Sequence, residues 1–181
     1  MQRTPTAGME EKKLKPLFRS VLILVAMPIW LPLLVAFTVV AIPLIPIFIT
    51  LHKFKGYRLK IMFGQKWETH GKRILFVYSE SPNWKPYVEK TILPKLETHV
   101  VTLNWSLRSE WRKTMPLEAK IFRHWGGDKE FNPIAIVLPK KGKVAVIRFW
   151  QAFKDARHGK EQTLRKAEAE LYGLLEKINQ A

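Results

Sequence analysis

The chain has 181 residues with 31 Lys and Arg against 15 Asp and Glu, a formal net charge of +16, and no cysteine. The missing thiols exclude disulfides, thiolate catalysis, Cys-ligated zinc and iron–sulfur clusters together. Once the apolar N-terminal stretch is set aside, about 130 residues remain, enough for one hydrophobic core and not for two.

Residues 1–19 form a basic tail carrying Arg3, Lys12, Lys13, Lys15 and Arg19. Residues 20–51, SVLILVAMPIWLPLLVAFTVVAIPLIPIFITL, hold no charge at all. That run is about twice the apolar region of a secretory signal, roughly 7 to 15 residues, so a cleaved leader is not expected. As a straight helix it would be about 48 Å long at roughly 1.5 Å per residue, against a hydrocarbon core of about 30 Å. Two full crossings need about 40 residues, so the segment is long for one span and short for two. Pro28, Pro32, Pro43 and Pro46 bracket a proline-free centre and are expected to kink or end a helix. Two membrane-embedded forms follow, a single tilted span or a re-entrant hairpin. Positive residues flanking a membrane segment stay cytoplasmic, and both forms leave the rest of the chain on that side.

Residues 52–73, HKFKGYRLKIMFGQKWETHGKR, hold seven Lys or Arg and one Glu. A polybasic segment next to a membrane meets anionic head groups at about 1 kcal/mol per cation. Lys53, Lys55, Arg58, Lys60, Lys66 and Trp67 are therefore candidates for binding the membrane surface. Leu59, Ile61, Met62 and Phe63 are interleaved with them, and two placements are open: at the acyl boundary of an interfacial helix, or packed on the following domain.

In the domain, residues 74–181, the run ILFVYS at 74–79 predicts a buried strand. Residues 84–96 carry Tyr87, Val88, Ile92 and Leu96 at helical spacing, with Pro94 at a kink or near the end, and 100–103 predict a second strand. Strand, helix and strand within about thirty residues imply a right-handed βαβ unit with parallel strands. Residues 104–116 read as a polar, exposed loop, 117–124 as a short helix, and 133–139 with 143–150 as a hairpin around Lys140, Lys141 and Gly142. That turn is expected far from the basic segment at 52–73. Leu164, Ala167, Leu171, Leu174, Leu175 and Ile178 make one face of a final helix over 161–178. The fold class is α/β, in the order βαβαββα behind a membrane-embedded helical segment.

With these elements in that order, residues 73–179 resemble the thioredoxin-like fold. In that family a redox Cys-x-x-Cys follows the first strand, and the resemblance puts Pro82, Asn83, Trp84 and Lys85 on the motif. None is a thiol, so thiol–disulfide exchange is excluded. Pro133 takes the place of the family's cis-proline. What the resemblance leaves is a groove between the first helix's N-terminus and Pro133, where amides attract anions and Lys85 adds charge. Ordinary packing of Trp84 is the competing reading.

No catalytic constellation stands out. The five histidines lack ligand spacing, so no metal and no cofactor is expected. His124 and Asp128 in HWGGD are read as a helix end and turn. Asn104, Trp105 and Ser106 form a glycosylation sequon that a cytoplasmic domain would not expose to the machinery. Trp105, Arg108, Trp111 and Arg112 have the composition of a partner-binding loop. The expected function is a membrane-anchored, non-redox binding or scaffold module whose partners are anionic lipid and a second protein, with nucleic acid disfavoured. The alternative is an enzyme acting on a lipid-linked or phosphorylated substrate, with Lys85, Arg108 and Arg112 holding the anion.

Overall fold

The structure, a computed structural model, describes residues 7–127 and 132–180, so Arg3 and Asp128 lie outside the described residues. The chain divides into two compact units, Met1–His52 and Lys53–Ala181. Helix α1 is assigned over Ala7–Trp67. None of its five prolines ends it, because a proline removes one backbone bond and the remaining ladder carries the helix past it.

In the N-terminal unit the large apolar side chains that the structure describes are exposed, among them Trp30, Phe37, Phe48 and Leu51. Two hydroxyls there are bonded within the helix itself, Thr38 Oγ1 to Leu34 O at 2.6 Å and Thr50 Oγ1 to Pro46 O at 2.7 Å. Such a bond to the carbonyl four residues back satisfies a Thr hydroxyl within its own helix. An 18-residue window of α1 reaches a mean hydropathy of 2.6 with none of it buried, so α1 is long and apolar enough to cross a membrane by length and composition.

The C-terminal unit is built on a four-stranded mixed sheet in the order β2-β1-β3-β4. β1 (Ile74–Tyr78) and β2 (Val100–Asn104) are parallel, in register from Ile74 with Val100 to Tyr78 with Asn104. β3 (Ile134–Val137) runs antiparallel to β1, and β4 (Ala145–Arg148) antiparallel to β3. The central strands β1 and β3 are buried almost throughout, which is why they read as continuous apolar runs and not as alternating ones.

Each face of the sheet is covered. Leu75, Val77, Leu103, Ile134 and Ile136 point into one core with Leu59 and Phe63 of α1 and with Ile121 and Phe122 of α5 (Leu117–Trp125). Ile74, Phe76, Ala135, Val137 and Ile147 point into the other, with Val88, Ile92 and Leu96, and with α6 (Trp150–Arg157) and α7 (Glu161–Asn179). Between β1 and β2 the helical run consists of α2 (Lys85–Tyr87), a π turn at Val88–Ile92 and α3 (Leu93–Leu96). The π turn lies just before Pro94, whose ring and missing N–H disturb the normal ladder, and a widened turn absorbs that. Helix α6 has no counterpart among the elements expected from sequence, and 108–114, expected as loop, is helix α4 (Arg108–Thr114).

Candidate membrane-facing basic surface

The polybasic segment belongs to the folded C-terminal unit. Leu59 and Phe63 are buried at 5% and 0% exposure, so of the two placements open for them, packing on the domain is the one found. The opposite side of this stretch of α1 stays outward: Lys53, Phe54, Lys55, Tyr57 and Arg58 are exposed, as are Ile61 and Met62. Gly56 is in the helix, where glycine costs about 1 kcal/mol against alanine. A Cβ there would stand 2.5 Å from His124 Nε2, so the small residue permits the close approach of α5.

The six surface candidates divide into two groups. Lys53, Lys55 and Arg58 are exposed. Lys66, Trp67 and Lys60 are engaged: Lys66 Nζ and Trp67 Nε1 each donate to Glu118 Oε1 at 2.8 Å, and Lys60 Nζ donates to Gly142 O at 2.8 Å. Burial works against the Glu118 charge, but the hydrogen bonds from Lys66, from its own backbone and from Trp67 together outweigh it and hold the carboxyl below its ordinary range. Glu118 also sits in the first turn of α5, where a carboxylate complements the helix dipole.

The Lys60–Gly142 bond corrects the expectation that the β3–β4 turn is remote. Gly142 has φ +93°, a left-handed conformation that glycine adopts without strain. The turn it permits presents exposed Lys140, Lys141 and Lys143 beside α1. Contacts of this kind join residues 82 apart in sequence, and no local pattern signals them. The pKa of Lys60 is lowered, first by burial and then by the positive charge of Arg73.

The groove candidates are placed differently from the expectation. Pro82 and Asn83 are exposed. Trp84 Nε1 donates to Ser79 Oγ at 3.2 Å, and its ring packs 6.5 Å from that of Phe153, so ordinary packing accounts for it. The amides that would have drawn an anion are already used: Asn83 N donates to Ser81 Oγ, and Trp84 N and Lys85 N both donate to Ser81 O. Pro86 has no N–H to add. Lys85 Nζ lies 3.8 Å from a Glu80 oxygen. Pro133 is buried, its peptide bond with Asn132 is cis, and its carbonyl accepts from Phe149 N at 2.9 Å. Asn83 instead borders a cavity of about 580 Å³ with Tyr87, Arg157 and Glu168. There the Tyr87 hydroxyl is pushed up to about 12 by burial and by its hydrogen bond to Glu168.

The partner-loop candidates are also corrected. Trp105 and Trp111 are 5% and 8% exposed and belong to the core with Phe122. Their apolar bodies are buried, while the Trp111 indole N–H is satisfied by Asn104 O at 3.1 Å. Arg108 and Arg112 are exposed, with Arg108 lying over the Trp105 ring at 5.6 Å. The sequon residue Asn104 is occupied structurally: its Nδ2 donates to Glu80 Oε1, and its Oδ1 accepts from Ser106 N. Among the described residues no group of three or more His, Asp and Glu could hold a metal ion.

Comparison with known proteins finds no matching family model, no similar curated protein and no similar solved structure.

Proposed function

We propose that this protein is a membrane-anchored, non-redox module whose C-terminal unit binds the anionic cytoplasmic face of a membrane. In this reading α1 crosses the membrane once, and the basic end of the domain meets the lipid head groups. The single observation that carries it is the Lys60–Gly142 hydrogen bond. It adds the three lysines of the β3–β4 turn to the exposed cations Lys53, Lys55 and Arg58 of α1. At about 1 kcal/mol per cation near an anionic surface, six such groups supply several kcal/mol before Phe54 or Tyr57 enters the interface. A scaffold role for a second protein is kept within this reading, with exposed Arg108 and Arg112 as its surface.

The domain is assigned to the thioredoxin-like fold within the same proposal. Support comes from the parallel β1–β2 pair flanked by an antiparallel β3–β4 and from helices on both faces. The absence of cysteine removes the redox chemistry of that fold and leaves binding.

Both cores lie entirely within residues 53–181, so a fragment with those bounds retains them. It is expected to sediment with phosphatidylserine or phosphatidylglycerol vesicles, to bind phosphatidylcholine vesicles poorly, and to be released by 1 M salt, where the Debye length falls to about 3 Å. Replacing Lys53, Lys55 and Arg58 by Gln should cost most of the binding. Equal sedimentation with neutral vesicles, or binding indifferent to salt, would count against the proposal.

A further inference from the structure

Between the β3–β4 turn and the last turns of α7 lies a cavity of about 220 Å³ lined by Arg73, Lys140, Lys141, Lys143 and Lys177, with no carboxylate in its wall. Its floor is apolar, with Val137, Leu174 and Ile178. Arg73 is 6% exposed, so the base of the site holds a guanidinium that protein and not water surrounds. Five cationic side chains thus line one small opening. Lys60 holds the turn in place through Gly142 O, so the lysine cluster is fixed against α1 and does not hang free.

We propose that this cleft is a binding site for the phosphate head of a phosphorylated amphiphile, drawn from the membrane. The chemistry follows from the lining. A phosphate monoester brings close to two negative charges and three acceptor oxygens, which suits several lysines with an arginine, whose fork favours phosphate. The cavity is smaller than the roughly 300–1,000 Å³ of a pocket that swallows a drug-sized ligand, so it takes a head group and the first carbons, which rest on Val137, Leu174 and Ile178. This inference rests on the membrane reading for the source of its ligand.

The test uses the full chain in neutral detergent micelles, titrated calorimetrically at physiological salt with dihexanoyl phosphatidic acid, inorganic phosphate and dihexanoyl phosphatidylcholine. The expected result is saturable one-site binding of the phosphatidic acid, at least tenfold tighter than inorganic phosphate, with no binding of the phosphatidylcholine. Because Arg73 is buried and its replacement risks the fold, the variants used are Lys140→Gln/Lys141→Gln/Lys143→Gln and, separately, Lys177→Gln. The triple change should weaken binding at least tenfold and Lys177→Gln about threefold. A control triple, Lys120→Gln/Lys160→Gln/Lys166→Gln, which removes the same charge elsewhere, should change it less than twofold. Inorganic phosphate binding as tightly as the lipid would overturn the amphiphile assignment, and equal losses in the two triple variants would overturn the site. If head-group binding is absent while residues 53–181 still sediment with anionic vesicles, the pocket fails and the membrane reading stands. If the vesicles fail while the short-chain lipid binds, the membrane reading fails alone.

Discussion

Glu118 shows how one carboxylate fixes the end of a long helix. It receives Lys66 Nζ and Trp67 Nε1 at 2.8 Å each while starting α5, so two elements 51 residues apart share one oxygen. Hydrogen bonds to a charged group contribute about 1.5–3 kcal/mol. Half-exposed Lys66 is screened by solvent, so Glu118→Gln is expected to lower stability by about 1–2 kcal/mol at pH 7. The folded carboxyl is held below its unfolded range, so its contribution is complete above about pH 4.3 and is lost as pH falls through the folded value. Urea unfolding of residues 53–181 should therefore show a gap between wild type and Glu118→Gln that narrows from pH 7 to pH 3. A gap unchanged by acid would mean that the carboxylate charge is not what joins the two helices. The sequence around Glu118 contains no sign of this role, because both donors come from a distant segment.

Among the elements, those whose apolar pattern is complete in itself are legible in the sequence. The strands at 74–78 and 134–137 are buried on both faces and read as unbroken apolar runs, and α7 declares its inward face through Leu164 and Leu171. Helix α6 is hidden because only Ala152 and Phe153 of WQAFKDAR are buried, too few to make a period. Trp105 and Trp111 look like surface residues because their sequence neighbours are polar, while burial is decided by what the indole rings meet across space. The basic stretch of α1 carries two signals at once, cations on one side and core residues on the other, and composition alone does not separate them. That division gives a test. Phe63→Ala removes a fully buried ring and should destabilise residues 53–181 by about 3–5 kcal/mol, whereas Met62→Ala, at 43% exposure, should change stability by less than about 0.5 kcal/mol. Denaturant midpoints of the two variants decide it. Equal small effects would return Phe63 to the lipid interface.

At the scale of the whole molecule, binding of anionic lipid by these lysines requires the C-terminal unit to lie on the side where positive flanks are retained. The charge-free run at 20–51 is legible as a segment long and apolar enough to cross a membrane, and the choice between span and hairpin is not, because prolines permit both. The proposed function takes the single span. The absence of native cysteine makes the decisive measurement simple: single cysteines at Thr6→Cys and Gln180→Cys, each exposed in intact cells to a membrane-impermeant thiol reagent and again after lysis. A single span with a cytoplasmic C-terminal unit predicts labelling of Thr6→Cys in intact cells and protection of Gln180→Cys until lysis. Labelling of Gln180→Cys in intact cells would contradict that orientation, and with it the assignment of the basic surface to the cytoplasmic leaflet.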